Sequence, residues 1–126
     1  MQVHGESDYQ QTLHAACAGR VAPFTDEDGC WDRALFVGVA LRPEPSNAYD
    51  RHAVRVDIVG FGCAGYIPRS EAPAYHAGLV ELESRGLVGT CSGWIVRNRR
   101  AGYYAIYLYL SDSATVRQAV AAAAYG

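Results

Sequence analysis

The sequence predicts a mainly β fold with inserted helices (α+β), with five or six short strands forming a small, partly open barrel. Three observations carry this. Runs rich in Val, Ile, Leu and Tyr recur at residues 34–41, 53–59, 63–67, 87–97 and 103–110. Gly, Pro, Asn or Asp stands between successive runs, so most of them end at a turn or a breaker. Helix-like composition is confined to 9–18, 71–84 and 111–125.

Residues 2–4 read as a short extended piece that stops at Gly5. Asp8 is placed to cap a helix over 9–18, which Gly19 ends. Residues 20–33 read as an exposed loop with Pro23, an acidic cluster (Asp26, Glu27, Asp28) and Gly29, and with Cys30 and Trp31 near its end. The strand over 34–41 stops at Pro43 and Pro45, because proline supplies no ladder donor. Residues 46–50, Ser-Asn-Ala-Tyr-Asp, form a turn. Val54, Val56 and Ile58 then alternate with Arg55 and Asp57, the pattern of a half-buried strand. Gly60-Phe61-Gly62 makes a tight hairpin and 63–67 returns, stopped by Pro68. Ser70 is placed to cap a helix over 71–84, with Pro73 in its first turn and Leu79 and Leu82 facing inward. After Gly86 comes a strand over 87–97, a hairpin loop at 98–102 and a strand over 103–110. In the last, Tyr104, Ile106, Leu108 and Leu110 alternate with Tyr103, Ala105, Tyr107 and Tyr109, and the first set faces the core. An alanine-rich helix over 111–125 follows a domain spanning 1–110. Barrel closure manages exposed edges, so the set resembles the oligonucleotide-binding (OB-like) fold.

A chain of 126 residues suits one domain with one core. No apolar run approaches the about 20 residues of a membrane span. The start, Met-Gln-Val-His-Gly-Glu-Ser-Asp, has neither basic region nor apolar stretch, so a cytoplasmic location is expected. The net charge is −2, which argues against a long phosphate-tracking groove but not against a site gripping one or two nucleotides. All eleven basic residues are arginine, which fits either phosphate recognition or a GC-rich, bacterial coding bias. The four cysteines are widely spaced with no Cys-x-x-Cys pair for zinc, and a disulfide framework would want a secreted context, so they read as reduced structural thiols. The histidines lack metal-ligand spacing, so no metal and no cofactor is expected. No nucleophile motif or phosphate-binding loop appears, so a non-enzyme is expected.

The densest stretch is 40–69. Its skeleton is Glu44-Pro45-x-Asn47-x-Tyr49-Asp50-x-x-Ala53-Val54-x-Val56, then Gly65-Tyr66-Ile67-Pro68-Arg69. The opening Val3-x-Gly5-Glu6-Ser7-x-Tyr9-Gln10 belongs with it. This pattern resembles the HIRAN domain family over about residues 3–110. The resemblance implies a module that binds the 3′-hydroxyl end of single-stranded DNA, in DNA repair or replication-fork processing, with a helicase or nuclease acting in trans. It implies that Tyr49 stacks on the terminal base and Asp50 accepts from the 3′-hydroxyl. Asn47 holds the turn or reaches the end nucleotide, and Arg69 meets phosphate. Tyr66 and Tyr104 fall at aromatic positions of the same surface. Eukaryotic members carry a basic residue and an aromatic where this chain has Ser7 and Asp8.

Each residue also has a plainer reading. Asn47 and Asp50 equally suit a turn, Tyr66 a half-buried sheet position, and Arg69 a surface arginine paired with Glu71. Arg97, Arg99 and Arg100 suit either a phosphate grip or a solvated loop. Two other functions stay open. One is a protein-interaction module working through the acidic loop, Trp31 and the final helix. The other is an enzyme acting on a nucleotide near Asp50 and His52.

Overall fold

A computed structural model describes residues 1–19, 22–23, 31–98, 102–112 and 115–120. Among these, seven strands form one antiparallel sheet. They are β1 (Ala22–Pro23), β2 (Trp31–Pro43), β3 (Val54–Ile58), β4 (Gly62–Tyr66), β5 (Leu87–Asn98), β6 (Tyr104–Leu108) and β7 (Arg117–Val120). The main order is β4-β3-β2-β5-β6. Two α-helices, α1 (Gln10–Cys17) and α2 (Pro73–Ser84), and a 3-10 turn at Glu6–Tyr9 complete the fold.

The long β2 and β5 pair from Trp31↔Asn98 to Leu41↔Gly89 and form the spine. Alternation along them separates two faces. Val39, Leu41 and Ile95 turn into the main core, where they meet Val54, Val56, Ile106 and Leu108. Helix α2 covers this core with Tyr75, His76, Leu79 and Leu82, a helical stripe on one face. Helix α1 adds Leu13, Ala16 and Cys17.

The ladder leaves β4 and β6 as its two ends, yet one short segment bonds to both. The Val3 amide donates to Ile106 O (3.0 Å), and Leu108 N donates to Met1 O (2.7 Å). On the other side, His4 N donates to Tyr66 O (2.8 Å) and Tyr66 N to His4 O (2.9 Å). A strand flanked on both sides puts its neighbours about 10 Å apart, whereas five flat strands would span about 19 Å. The sheet therefore curls until its ends nearly meet, without a continuous ladder closing it.

Gly65 is the point where this strap touches β4. Its φ of 143° suits glycine, and a Cβ there would sit 2.5 Å from His4 O and from Val3 Cγ1. The glycine of Gly-Tyr-Ile-Pro-Arg thus makes room for residues 3–4.

Four expectations are corrected. The expected loop over 20–33 contains the short strand β1 (Ala22–Pro23), and β2 already starts at Trp31 because it pairs with β1 and with Asn98. The helix over 111–125 is absent where it is described. Arg117–Val120 is a strand instead, paired with Leu87–Thr90 of β5. Alanine favours a helix, but β6 leaves this end of β5 without a ladder, and β7 satisfies those backbone groups. Val116 packs against the core over Gly89, where a Cβ would crowd Leu79 and Val116. Residues 121–125 of that expected helix lie outside the described residues. The first helix starts later than expected, after the 3-10 turn, and Asp8 provides no side-chain cap. Helix α2 likewise begins at Pro73 without a cap from Ser70.

Gly65→Ala should lower stability by more than about 1 kcal/mol, from the strained φ and the clash with the strap. Gly78→Ala, in α2 with open space around it, should raise stability by about 0.5–1 kcal/mol. Urea midpoints of the two variants check this opposition of sign.

Candidate nucleic-acid interface

Residues 44–53 connect β2 to β3, and backbone bonds tie the loop at three places. Glu44 N donates to Ala53 O, Asn47 N to Glu44 O, and Ala53 N to Asp50 O. Side chains complete the turn. Asn47 Oδ1 accepts from the amides of Tyr49 (2.9 Å) and Asp50 (3.0 Å), as asparagine does in tight turns. Asp50 Oδ1 accepts from the His52 amide at 2.9 Å. The backbone is thus held from both sides while the Tyr49 ring projects outward, 89% exposed.

Arg69, just past β4, reaches back to this turn. Its Nη2 donates to Tyr49 O at 3.1 Å, and its Nε stands 3.8 Å from Asp50 Oδ2. The guanidinium is 78% exposed, so this pair is worth at most about 1 kcal/mol and yields readily to another anion. It pairs with Asp50, where the sequence offered Glu71.

Glu44 organises the other side. Its Oε1 accepts from Asn47 Nδ2 (3.1 Å) and its Oε2 faces Arg55 Nη1 (3.3 Å). The Tyr66 phenol lines the same cleft as Glu44, close enough to feel its charge. Arg55 in turn grips Asp57 with two bonds of 2.9 Å. That hydrogen bonding to Asp57, above all, holds the Arg55 guanidinium more firmly protonated than usual. Glu44, Pro45, Ser46, Asn47 and Tyr66 line an open cleft of about 460 Å³. Burial first, then the neighbouring Glu44, push the Tyr66 phenol above its ordinary 10.0. The Tyr9 ring lies 6.5 Å from that of Tyr66, and burial, then the neighbouring Cys63, push its phenol up.

The structure therefore brings Asn47, Tyr49, Asp50, Tyr66 and Arg69 to one end of the sheet. Tyr104 does not join them. It is buried in the main core, edge-on to His14 at 4.7 Å, and its backbone is held by Gln10. Its place in the inward-facing alternate set decides this. Tyr103, one residue earlier, is the exposed ring. It lines a separate cleft of about 530 Å³ beside His4, Glu6, Ser7 and Gln10. Glu44 was missed as a site residue, although it opens the Glu-Pro-x-Asn motif and stands close to Arg55 across the hairpin.

His52 packs edge-on to the buried His76, at 5.5 Å between rings. No group of three metal-ligating side chains occurs among the described residues. Cys17 and Cys91 are buried and Cys63 half-buried. Burial pushes the Cys91 thiol up to about 11. The acidic cluster at 26–28, Cys30, Arg99 and Arg100 lie outside the described residues. No described helix is long and apolar enough to cross a membrane. Comparisons with protein-family models, curated proteins and solved structures return no match for this chain.

Alkaline stability tests the Tyr66–Glu44 contact. The folded state holds the Tyr66 proton more tightly than the unfolded state does. Its contribution is present below pH 10.0 and is lost as pH rises through the raised folded value. The urea midpoint should therefore fall between about pH 8 and about pH 11, and fall less in Tyr66→Phe. An equal fall in both proteins would show that Tyr66 is not a source of it.

Proposed function

We propose that the chain is a HIRAN-like, nucleic-acid-binding module that recognises the 3′ end of single-stranded DNA without cleaving it. The observation that carries this is the fully exposed Tyr49 ring on a turn whose backbone is tied down, with Asp50 and Arg69 beside it. A curled sheet whose ends nearly meet supports the reading of a partly open, OB-like barrel.

Each group then has a task. Tyr49 stacks on the terminal base, worth about 1–3 kcal/mol whatever the base. Asp50 Oδ1 is occupied by the His52 amide, which leaves Oδ2 to accept from the 3′-hydroxyl. The same oxygen repels a terminal phosphate, so the site discriminates by repulsion as well as attraction. Arg69 leaves Asp50 for the adjoining phosphate. Asn47 keeps the turn in shape, and Tyr66 closes the cleft. Ser7, in the neighbouring cleft, supplies no charge, so the grip on phosphate is weak. The biological setting that fits is end processing in DNA repair or at replication forks, in the cytoplasm, with a helicase or nuclease in trans.

The rival protein-interaction reading was to use the final helix, and β7 stands in its described part.

Fluorescence anisotropy with short labelled strands tests the proposal. A 3′-hydroxyl strand should bind, and a 3′-phosphate strand should bind at least about tenfold more weakly. Tyr49→Ala should weaken binding about 5- to 150-fold. Log K should fall against log salt with a slope of roughly −1.4 to −2, for two or three phosphates. Equal affinity for both ends would reject end recognition.

A further inference from the structure

The outer face of the sheet carries a second ring cluster, far along β2 from the Tyr49 turn. Phe36 of β2 and Trp94 of β5 are directly paired across the strands. Their rings are 5.5 Å apart and parallel within 2°. The Tyr109 ring lies 6.4 Å from Phe36, tilted by only 13°. These are offset-stacked planes, and they face outward: Phe36 is 66% and Tyr109 55% exposed. Trp94 is half-buried on a small cluster of Ala34, Val96 and Ala105, whereas Phe36 and Tyr109 carry the cost of exposed apolar area.

A cation stands next to them. Arg117 of β7 pairs with Thr90, and Thr90, Ser92 and Trp94 alternate along one face of β5. Arg117, Ser92, Thr115 and Tyr109 share a cleft of about 390 Å³. Arg117 is exposed and has no acidic partner among the described residues. From Trp94 to Thr90 is about 13 Å along the strand, so the guanidinium reaches to within one nucleotide's length of the ring planes. The small Ser92 between them leaves the path open. Flat rings that accept any base, with an arginine set for phosphate, form the recognition pattern of single-stranded nucleic acid. Asp57 on β3, opposite Ala40, is already neutralised by Arg55. Asp112 follows Tyr109 in the chain, and its backbone carbonyl accepts from the Thr115 amide and hydroxyl.

We infer that Phe36, Trp94 and Tyr109, with Arg117, form a second surface that stacks internal bases of a single strand. It shares with the proposed end site only the ligand class and needs no strand end.

A circular single-stranded DNA is therefore the decisive probe, because it offers bases and phosphates but no terminus. The full chain with Trp31→Phe leaves Trp94 as the sole tryptophan. Added circle should quench Trp94 emission saturably. Phe36→Ala and Tyr109→Ala should each weaken binding about 5- to 150-fold. Phe36→Leu keeps the apolar bulk and removes the ring, so it should weaken binding nearly as much. Arg117→Ala should reduce the salt slope by about 0.7–1. Val80→Ala, an exposed apolar change on α2, should have no effect. Absence of quenching, or affinity unchanged in both ring variants, would overturn the inference. So would a concentration-dependent dimer that Phe36→Ala abolishes while the circle stays unbound, since the rings would then belong to a second copy. If the circle binds as well as a 3′-hydroxyl strand and the ring variants weaken both, the second surface stands and end recognition fails.

Discussion

The backbone groups at both ends of the sheet need partners, and the segment 1–4 supplies them. It bonds to β6 on one side and to β4 on the other. Polar anchors lock it in place. Glu6 Oε2 accepts from the Ile106 amide, and Gln10 both donates to Tyr104 O and accepts from Tyr104 N. These bonds join residues about a hundred positions apart, so the ends of the described domain are closed on each other. Without the strap, β4 would be an exposed edge and the sheet would have no reason to hold its curl.

The candidate site inherits its geometry from that closure. His4 fixes the backbone of Tyr66, and the Tyr66 phenol stands close to Glu44. Glu44 in turn anchors Asn47, whose amide oxygen shapes the Tyr49–Asp50 turn. Arg69 arrives because Ile67 continues the pairing of β4 to Val54 before Pro68 ends it. A chain of short contacts therefore links the first residues to the exposed ring, so damage to the strap is felt at the turn.

Local chemistry made much of this legible. The strands appeared wherever β-branched and aromatic residues alternated, and Gly60-Phe61-Gly62 marked its hairpin because few other sequences turn so tightly. Asn47 and Asp50 announced a turn through their side-chain acceptors. The final segment was illegible for a physical reason: alanine's helix preference is worth only tenths of a kcal/mol per residue, while an unsatisfied β5 edge costs more. Tyr104 carried two conflicting signals, a motif position and an inward phase, and burial followed the phase. Glu44 was hidden because, besides its neighbour Asn47, it faces Arg55 and Tyr66, which only the folded hairpin brings to it. Phe36, Trp94 and Tyr109 read as ordinary strand residues until the register put them side by side.

Charge is spent locally in this protein. Arg55 faces Glu44 and Asp57, Arg42 bonds Glu83, and Arg69 stands near Asp50. With a net charge of −2, little positive field extends past the Debye length of about 8 Å. A strand bound as proposed would gain little from long-range steering, so its association rate should sit near the unsteered range of about 10⁵–10⁶ M⁻¹s⁻¹. Affinity must then come from groups that act at contact: a ring on a base, a carboxylate on a hydroxyl, an arginine that exchanges one partner for another. A surface used as proposed would read one feature of a strand and let the rest go, marking a position on single-stranded DNA rather than coating it.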